Sequence, residues 1–259
     1  MIDALYISES GLSSQQTLID VISNNIANTN TPAFKKNSVN FVDLVYKDAT
    51  APEVSGTELN PNTLIGAGAS IATTSKVFTP GELQPTQNPM DIAISGSGFL
   101  EVTLENGDLA YTRAGRIKLD NEGYITNAAG HRLSSNIQVS PDVERLEILP
   151  NGIVNGYVAN STEIVELGQV ELARFNNQEQ LLAMGDNLFK STEASGEASL
   201  AMPGADGAGS IMQGYTENSN VEMTAEMVNL ISAQRVFQMN ARVFQVCDQI
   251  LEVITSLRS

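Results

Sequence analysis

The chain has one cysteine, Cys247, one histidine, His131, and no tryptophan among its 259 residues. A lone cysteine excludes an intrachain disulfide, and one histidine with one distant cysteine cannot supply the donors of most zinc sites. Cations are scarce too: 14 Lys and Arg stand against 30 Asp and Glu, for a net charge of −16 and a pI near 4.3. Nucleic-acid binding draws on a basic face that neutralises phosphates. Fourteen dispersed cations do not make one, and the same shortage speaks against an anionic membrane surface. No apolar run approaches the roughly 20 residues of a spanning helix, so bilayer insertion is not expected. The first residues, MIDALYISESGLSSQQ, have neither a basic leader nor a continuous apolar stretch, and no cleavable signal peptide is expected from them.

What is there divides the chain into four segments. Residues 1–30 read as an N-terminal helix: Leu5, Leu12, Ile19 and Ile26 recur every seven residues with Leu18 and Ile22 beside them, while the rest is mostly Ser, Gln, Asn and Asp. Such a narrow stripe is marginal in isolation and calls for a partner surface. Pro32 disfavours helix at Thr31, so the helix is expected to stop near Asn30. Residues 31–76 read as an extended connector, rich in Pro, Gly, Ala, Ser and Thr and weak in periodicity. From 77 to 217 the apolar period falls to two, as in Ile92 and Ile94 or Leu100, Val102 and Leu104. Asn106-Gly107, Asn151-Gly152 and Asn155-Gly156 look like hairpin turns. This predicts a mainly antiparallel β domain. Residues 218–259 return to the helical period: Met223, Leu230, Phe237, Phe244 and Leu251 sit seven apart, with Val236, Val243, Ile250 and Leu257 as a second stripe and Ile254 nearby. Asn218 or Ser219 is the expected N-cap. The fold class is therefore α+β, with terminal helices pairing in a coiled-coil-like inner domain around a central β domain. The C-terminal apolar arc is wider than a two-stranded seam needs. An exposed apolar face of that size marks an interface, and Leu5, Leu12, Ile19, Ile22, Ile26, Leu230, Phe237, Phe244, Leu251 and Ile254 are the candidate subunit-contact residues.

Several motifs suggest chemistry and yield to plainer readings. Gly96-Ser97-Gly98 lacks the third glycine and following helix of a dinucleotide loop, and reads as a kink with close backbone approach. Glu101, Glu105, Asp108, Asp120 and Glu122 could hold an acid/base pair for glycoside hydrolysis, but most lie beside turns, where solvated carboxylates are ordinary. His131 falls at a turn, and Cys247 on the apolar arc reads as a small buried hydrophobe. Asn160-Ser161-Thr162 matches a glycan acceptor only weakly.

The stretches NNIANTNTPAFKK, DIAISGSGFLEV, YTRAGRIKLDNEGYI and QGYTENSNVEMTAEMVNLISAQRVFQMN, in that order across the whole chain, resemble the rod and hook proteins of the bacterial flagellar basal body. The resemblance rests on Asn28, Thr31, Phe34, Lys35, Gly96, Gly98, Phe99, Tyr111, Thr112, Arg113, Gly115, Ser219, Asn220, Val221, Gln234 and Arg235. It implies a structural subunit with no catalytic residues, cofactor or metal. It further implies a tube of terminal helices around a central channel with an outer β layer, self-association into a helical polymer, and contact with other rod and hook proteins and with surrounding rings. It also implies export through the flagellar apparatus without a cleaved signal, and a place in the periplasm-spanning rod. Three positions depart from the family: Ala33 where glycine is usual, Ile117 where an aromatic is common, and Phe237 where tyrosine is common. Alanine resists positive φ, so the turn at Ala33 is expected to differ. A secreted β-domain binding module or cell-wall hydrolase working through Glu101 or Asp120 is the alternative from another class.

Overall fold

A computed structural model describes residues 2–44, 46–48, 64–158 and 164–258. The chain folds as two compact units, one of residues 1–27, 37–75 and 222–259 and the other of residues 28–36 and 76–221.

In the first unit, helix α1 (Ile2–Ala27) packs against helix α2 (Met223–Arg258). α1 ends three residues before the expected stop, in a turn over Asn28–Asn30. α2 begins at Met223, later than an N-cap at Asn218 or Ser219 would place it, because Asn218–Val221 are spent on contacts described below. On α2 the shielded positions Glu226, Leu230, Ala233, Phe237, Asn240, Cys247 and Leu251 follow one another in steps of three, four or seven, the geometry of a coiled-coil seam. Phe244 and Ile254 continue that line but stay 40% and 45% exposed. On α1, Ser8, Ile22 and Asn25 are the most deeply buried members of the row Ala4, Ser8, Gly11, Gln15, Leu18, Ile22 and Asn25, while Leu5, Leu12, Ile19 and Ile26 lie one position over and are half-buried. Small and polar residues thus line part of the α1 side. Gly11 permits the close approach, since a Cβ there would come within 2.8 Å of Asn240 Nδ2.

Much of the segment expected as an extended connector is paired in strands. Asn37–Asp43 pairs with Ala69–Lys76, and Tyr46–Asp48 with Leu64–Gly66. A two-stranded ribbon is marginal alone, and α1 supports this one. Ser14 Oγ donates to Ala69 O at 3.2 Å, and the Asn25 amide exchanges two hydrogen bonds with the Asn37 backbone, at 3.0 and 2.9 Å. These polar anchors have no periodicity to betray them, and the sequence reading missed the strands for that reason.

The second unit is the expected antiparallel β domain. Among its described residues a nine-stranded sheet runs Leu182–Gly185, Leu188–Lys190, Leu109–Thr112, Phe99–Thr103, Arg132–Leu133, Ile125–Asn127, Ile117–Leu119. Leu172–Arg174 bridges Phe99–Thr103 to Ser199–Ala201. A three-stranded sheet joins Val143–Ile148, Ile153–Val158 and Ile164–Gln169. Ser210–Gln213 pairs with Ile92–Ser95, and Tyr215–Glu217 with Leu83–Pro85. Asn106-Gly107 and Asn151-Gly152 are turns as expected, but Asn155-Gly156 lies inside a strand. Gly156 is there for packing: a Cβ would sit 3.1 Å from both Val143 and Leu167 side chains. Alternation sorts the side chains into two cores. Ile92, Ile94, Leu100, Val102, Ile125, Val154, Leu172 and Ile211 belong to the larger. Phe99, Tyr111, Phe175 and Phe189, in edge-to-face contact, make the smaller. The Asn160-Ser161-Thr162 acceptor pattern lies outside the described residues.

Candidate functional site: a buried ion triad and an open helix seam

The segment Asn28–Lys36 is bound into the β unit. It starts with a turn in which Thr31 N–H donates to Asn28 O and Thr31 Oγ1 to Asn28 Oδ1, both at 3.1 Å. Ala33 follows with φ 59°. The left-handed turn that glycine would favour is therefore kept, and alanine carries its steric cost. The turn holds because Ala33 is buried and its N–H donates to Glu217 O at 2.7 Å. Asn187, at the hairpin Gly185–Leu188, donates to Pro32 O at 3.0 Å, and Phe34 is buried beneath the Lys76 ammonium, 5.1 Å from the ring centre.

Next comes Lys35, whose side chain has no exposed surface. Its Nζ donates to Glu217 Oε1 at 2.5 Å and to Thr79 O at 2.9 Å. The other carboxylate oxygen of Glu217 accepts from Arg113 Nε at 2.9 Å, again with both side chains almost fully enclosed. Arg113 spends its remaining donors on Gly98 O, Gly96 O and Ile94 O, at 3.0, 2.9 and 3.3 Å. That use explains the glycine pair. Gly96 and Gly98 adopt φ of 119° and 137°, turning the carbonyls of the Ser95–Gly98 bend toward the guanidinium. Gly81 N–H completes the shell of Glu217 at 2.9 Å. Two cations around one carboxylate are stable in an enclosed site only because carbonyls solvate both. Burial alone would raise the Glu217 carboxyl, but Arg113 and Lys35 outweigh it and hold the group below its ordinary value. Burial pushes the Lys35 ammonium down, Glu217 opposes that, and Arg113 adds to it.

Asn220 closes the other side. Its Oδ1 accepts Lys36 N–H at 2.8 Å, its Nδ2 donates to Val77 O at 2.7 Å, and its own N–H donates to Phe34 O at 3.4 Å. Ser219 Oγ accepts Val221 N–H at 3.3 Å, and Val221 is buried. Thr112 Oγ1 donates to Asn187 O at 2.9 Å. Gly115 is forced by proximity, since a Cβ there would lie 1.6 Å from Ile92 O. The signature residues thus converge on one knot between the segments at 28–36 and 215–221, with Phe99 and Tyr111 packed in the aromatic core and Gln234 and Arg235 exposed on α2 in the other unit. Glu217, the hub, escaped the sequence reading. Its signal was present: it is the only acid in Gln213–Val221, and two motif cations needed a carboxylate.

Four of the five acidic residues weighed for catalysis, Glu101, Asp108, Asp120 and Glu122, are drawn into other contacts. Burial and then the Glu101 carboxylate push the Tyr111 phenol up to about 12. Asp108 pairs with Lys190 at 2.8 Å, and Asp120 and Glu122 both with Arg132, at 3.0 and 2.7 Å.

In the helical unit, α2 carries a second row, Met239, Val243, Val246, Ile250 and Val253, in steps of four and three. All five are 43–57% exposed. No helix among the described residues is long and apolar enough to cross a membrane.

Three family models match: a flagella basal body rod protein model over residues 5–35, the flagellar hook protein FlgE/F/G D1 domain over 93–156, and the flagellar basal body rod FlgEFG protein C-terminal over 212–257. Full-length relatives agree. A flagellar basal-body rod protein FlgG of Borreliella burgdorferi is 37% identical over 100% of this chain and 99% of its own length. The chain belongs to the flagellar basal-body rod protein family. The FlgG of Caulobacter vibrioides is 36% identical over 99% of each chain, and that of Bacillus subtilis 35% over the full length of both. The rod models at the two ends cover α1 and α2, and the D1 model covers the strands that hold Gly96, Gly98 and Arg113. This rod-family chain is a structural subunit of the flagellar basal body.

Proposed function

We propose that the chain is the distal rod subunit, polymerising into a hollow shaft that carries torque from motor to hook. The likeness to FlgG over the whole chain supports that place. The observation that carries the mechanism is the open row Met239–Val253. α2 already uses one seam within its own unit, and a second heptad-spaced apolar row is left for a neighbouring copy. Fully burying a Val, Ile or Met side chain is worth about 1.5–3 kcal/mol, so five such residues supply a substantial drive to associate. Leu5, Leu12, Ile19 and Ile26, half-buried on α1, and Phe244 and Ile254, exposed on α2, extend the contact surface. Contacts between different faces of successive copies would extend helically instead of closing into a ring. Other rod and hook proteins, the surrounding rings and the export apparatus are the further partners on this reading, and the periplasm-spanning rod is the location.

The test is sedimentation and electron microscopy of full-length chain against Val246→Asp/Ile250→Asp. The wild type should form filaments at high concentration, and the double variant should stay dispersed while its β unit melts unchanged. Filaments of normal length from the variant would overturn the mechanism.

A further inference from the structure

We infer that Lys35, Glu217 and Asn220 form a latch that makes docking of the two chain ends onto the β unit mutually dependent, with Arg113 as its fixed seat. Lys35, Arg113 and the segment holding Glu217 and Asn220 lie far apart in sequence, yet they meet with almost no exposed side-chain surface at the ion pairs. The N-terminal side contributes Ala33 N–H, Phe34 O, Lys35 Nζ and Lys36 N–H. The C-terminal side meets them with Glu217 O, Asn220 N–H, Glu217 Oε1 and Asn220 Oδ1, in that order. Neither segment satisfies its polar groups without the other. If residues 215–221 leave, Lys35 and Arg113 lose the Glu217 carboxylate in a water-poor site. If residues 28–36 leave, Glu217 keeps Arg113 and Gly81 but Asn220 and the Glu217 carbonyl lose partners. Arg113 is different in kind: three carbonyls of the Ile94–Gly98 bend hold it whatever the ends do. Gly81 tightens the arrangement, since a Cβ there would stand 2.0 Å from Asn218 O. Residues 28–36 follow α1 directly in the chain and 215–221 lie just before the α2 segment, so the latch makes the two chain segments next to the helices dock onto the β unit together or not at all.

Hydrogen exchange on the full-length chain, kept dilute and unassembled, tests this. Lys35→Met preserves the stem and leaves Glu217 paired one-to-one with Arg113. The probe amide is Asn218, which donates to Glu82 O at 2.9 Å and so reports on the C-terminal segment and not on Lys35 directly. For a hydrogen bond to a charged group, the expected loss of Asn218 protection is about tenfold or more, with Glu147 and Val154 amides in the three-stranded sheet unchanged. The reciprocal variant, Asn220→Ala, should lower protection at Ala33, a residue its side chain does not touch, by a similar factor. Unchanged protection at Asn218 and Ala33 overturns the inference, and so does a uniform fall across the β unit, which would make the triad a plain stabiliser. The measurement does not depend on polymer formation, so its failure is separable from failure of the rod reading.

Discussion

At the scale of single residues, Glu217 should dominate the stability of the β unit. Replacing it with glutamine keeps its shape but leaves Lys35 and Arg113 buried without a counter-ion, and breaking a buried pair costs about 3–5 kcal/mol. Thermal melts at neutral pH should show that deficit. Because the folded carboxyl lies below its ordinary value of 4.5, its contribution is fully present above that value and lost as pH falls through the folded value. The gap between wild type and Glu217→Gln should therefore close in acid; a gap that stays constant down to pH 3 would deny the ion pairs their role. Ala33 predicts the opposite sign. With φ at 59°, Ala33→Gly should relieve a left-handed alanine and, after the extra unfolded-state entropy of glycine, raise stability by up to about 1 kcal/mol in urea titration. Gly115→Ala should fail to fold or lose several kcal/mol, since backbone at Ile92 O has nowhere to go.

At the scale of elements, the helices and strands were largely legible and the seams between them were not. The seven-residue spacing of Leu230, Phe237, Phe244 and Leu251 announced α2, and alternation around Ile92 and Leu100 announced strands. On α1 the same reasoning picked Leu5, Leu12, Ile19, Ile22 and Ile26; Ile22 is deeply buried, but the other deepest positions are Ser8 and Asn25. Hydropathy cannot single out a contact made through small and polar residues, because serine and asparagine score as surface. Likewise the hairpin at 37–48 and 64–76 is held to α1 by amide and hydroxyl bonds to backbone, which leave no pattern. Ala33 was flagged correctly as unusual, but the turn survived because Glu217 O and burial fix it, a tertiary cause invisible locally. A direct check on the helix pairing is Gly11. Asn240 Nδ2, the flexible end of a side chain, can yield to a methyl group, so Gly11→Ala should be tolerated. Gly11→Leu should push α1 off α2 and lower the helical circular dichroism of the full chain.

At the scale of the whole molecule, charge and apolar surface oppose each other. A net charge of −16 makes copies repel, while the row from Met239 to Val253 draws them together. Raising ionic strength from about 0.01 M to 0.15 M shortens the screening length from about 30 Å to 8 Å and should lower the concentration at which the chain assembles. A polar, ion-paired contact would instead weaken with salt, so light scattering across a salt series separates the two. The measurement that bears most directly on the central claim is cryo-electron microscopy of isolated basal bodies carrying this chain. The account predicts the chain in the distal rod, with Met239, Val243, Val246, Ile250 and Val253 enclosed by helices of neighbouring copies. That row lying in solvent within an assembled rod, or the chain found outside the rod, would contradict it.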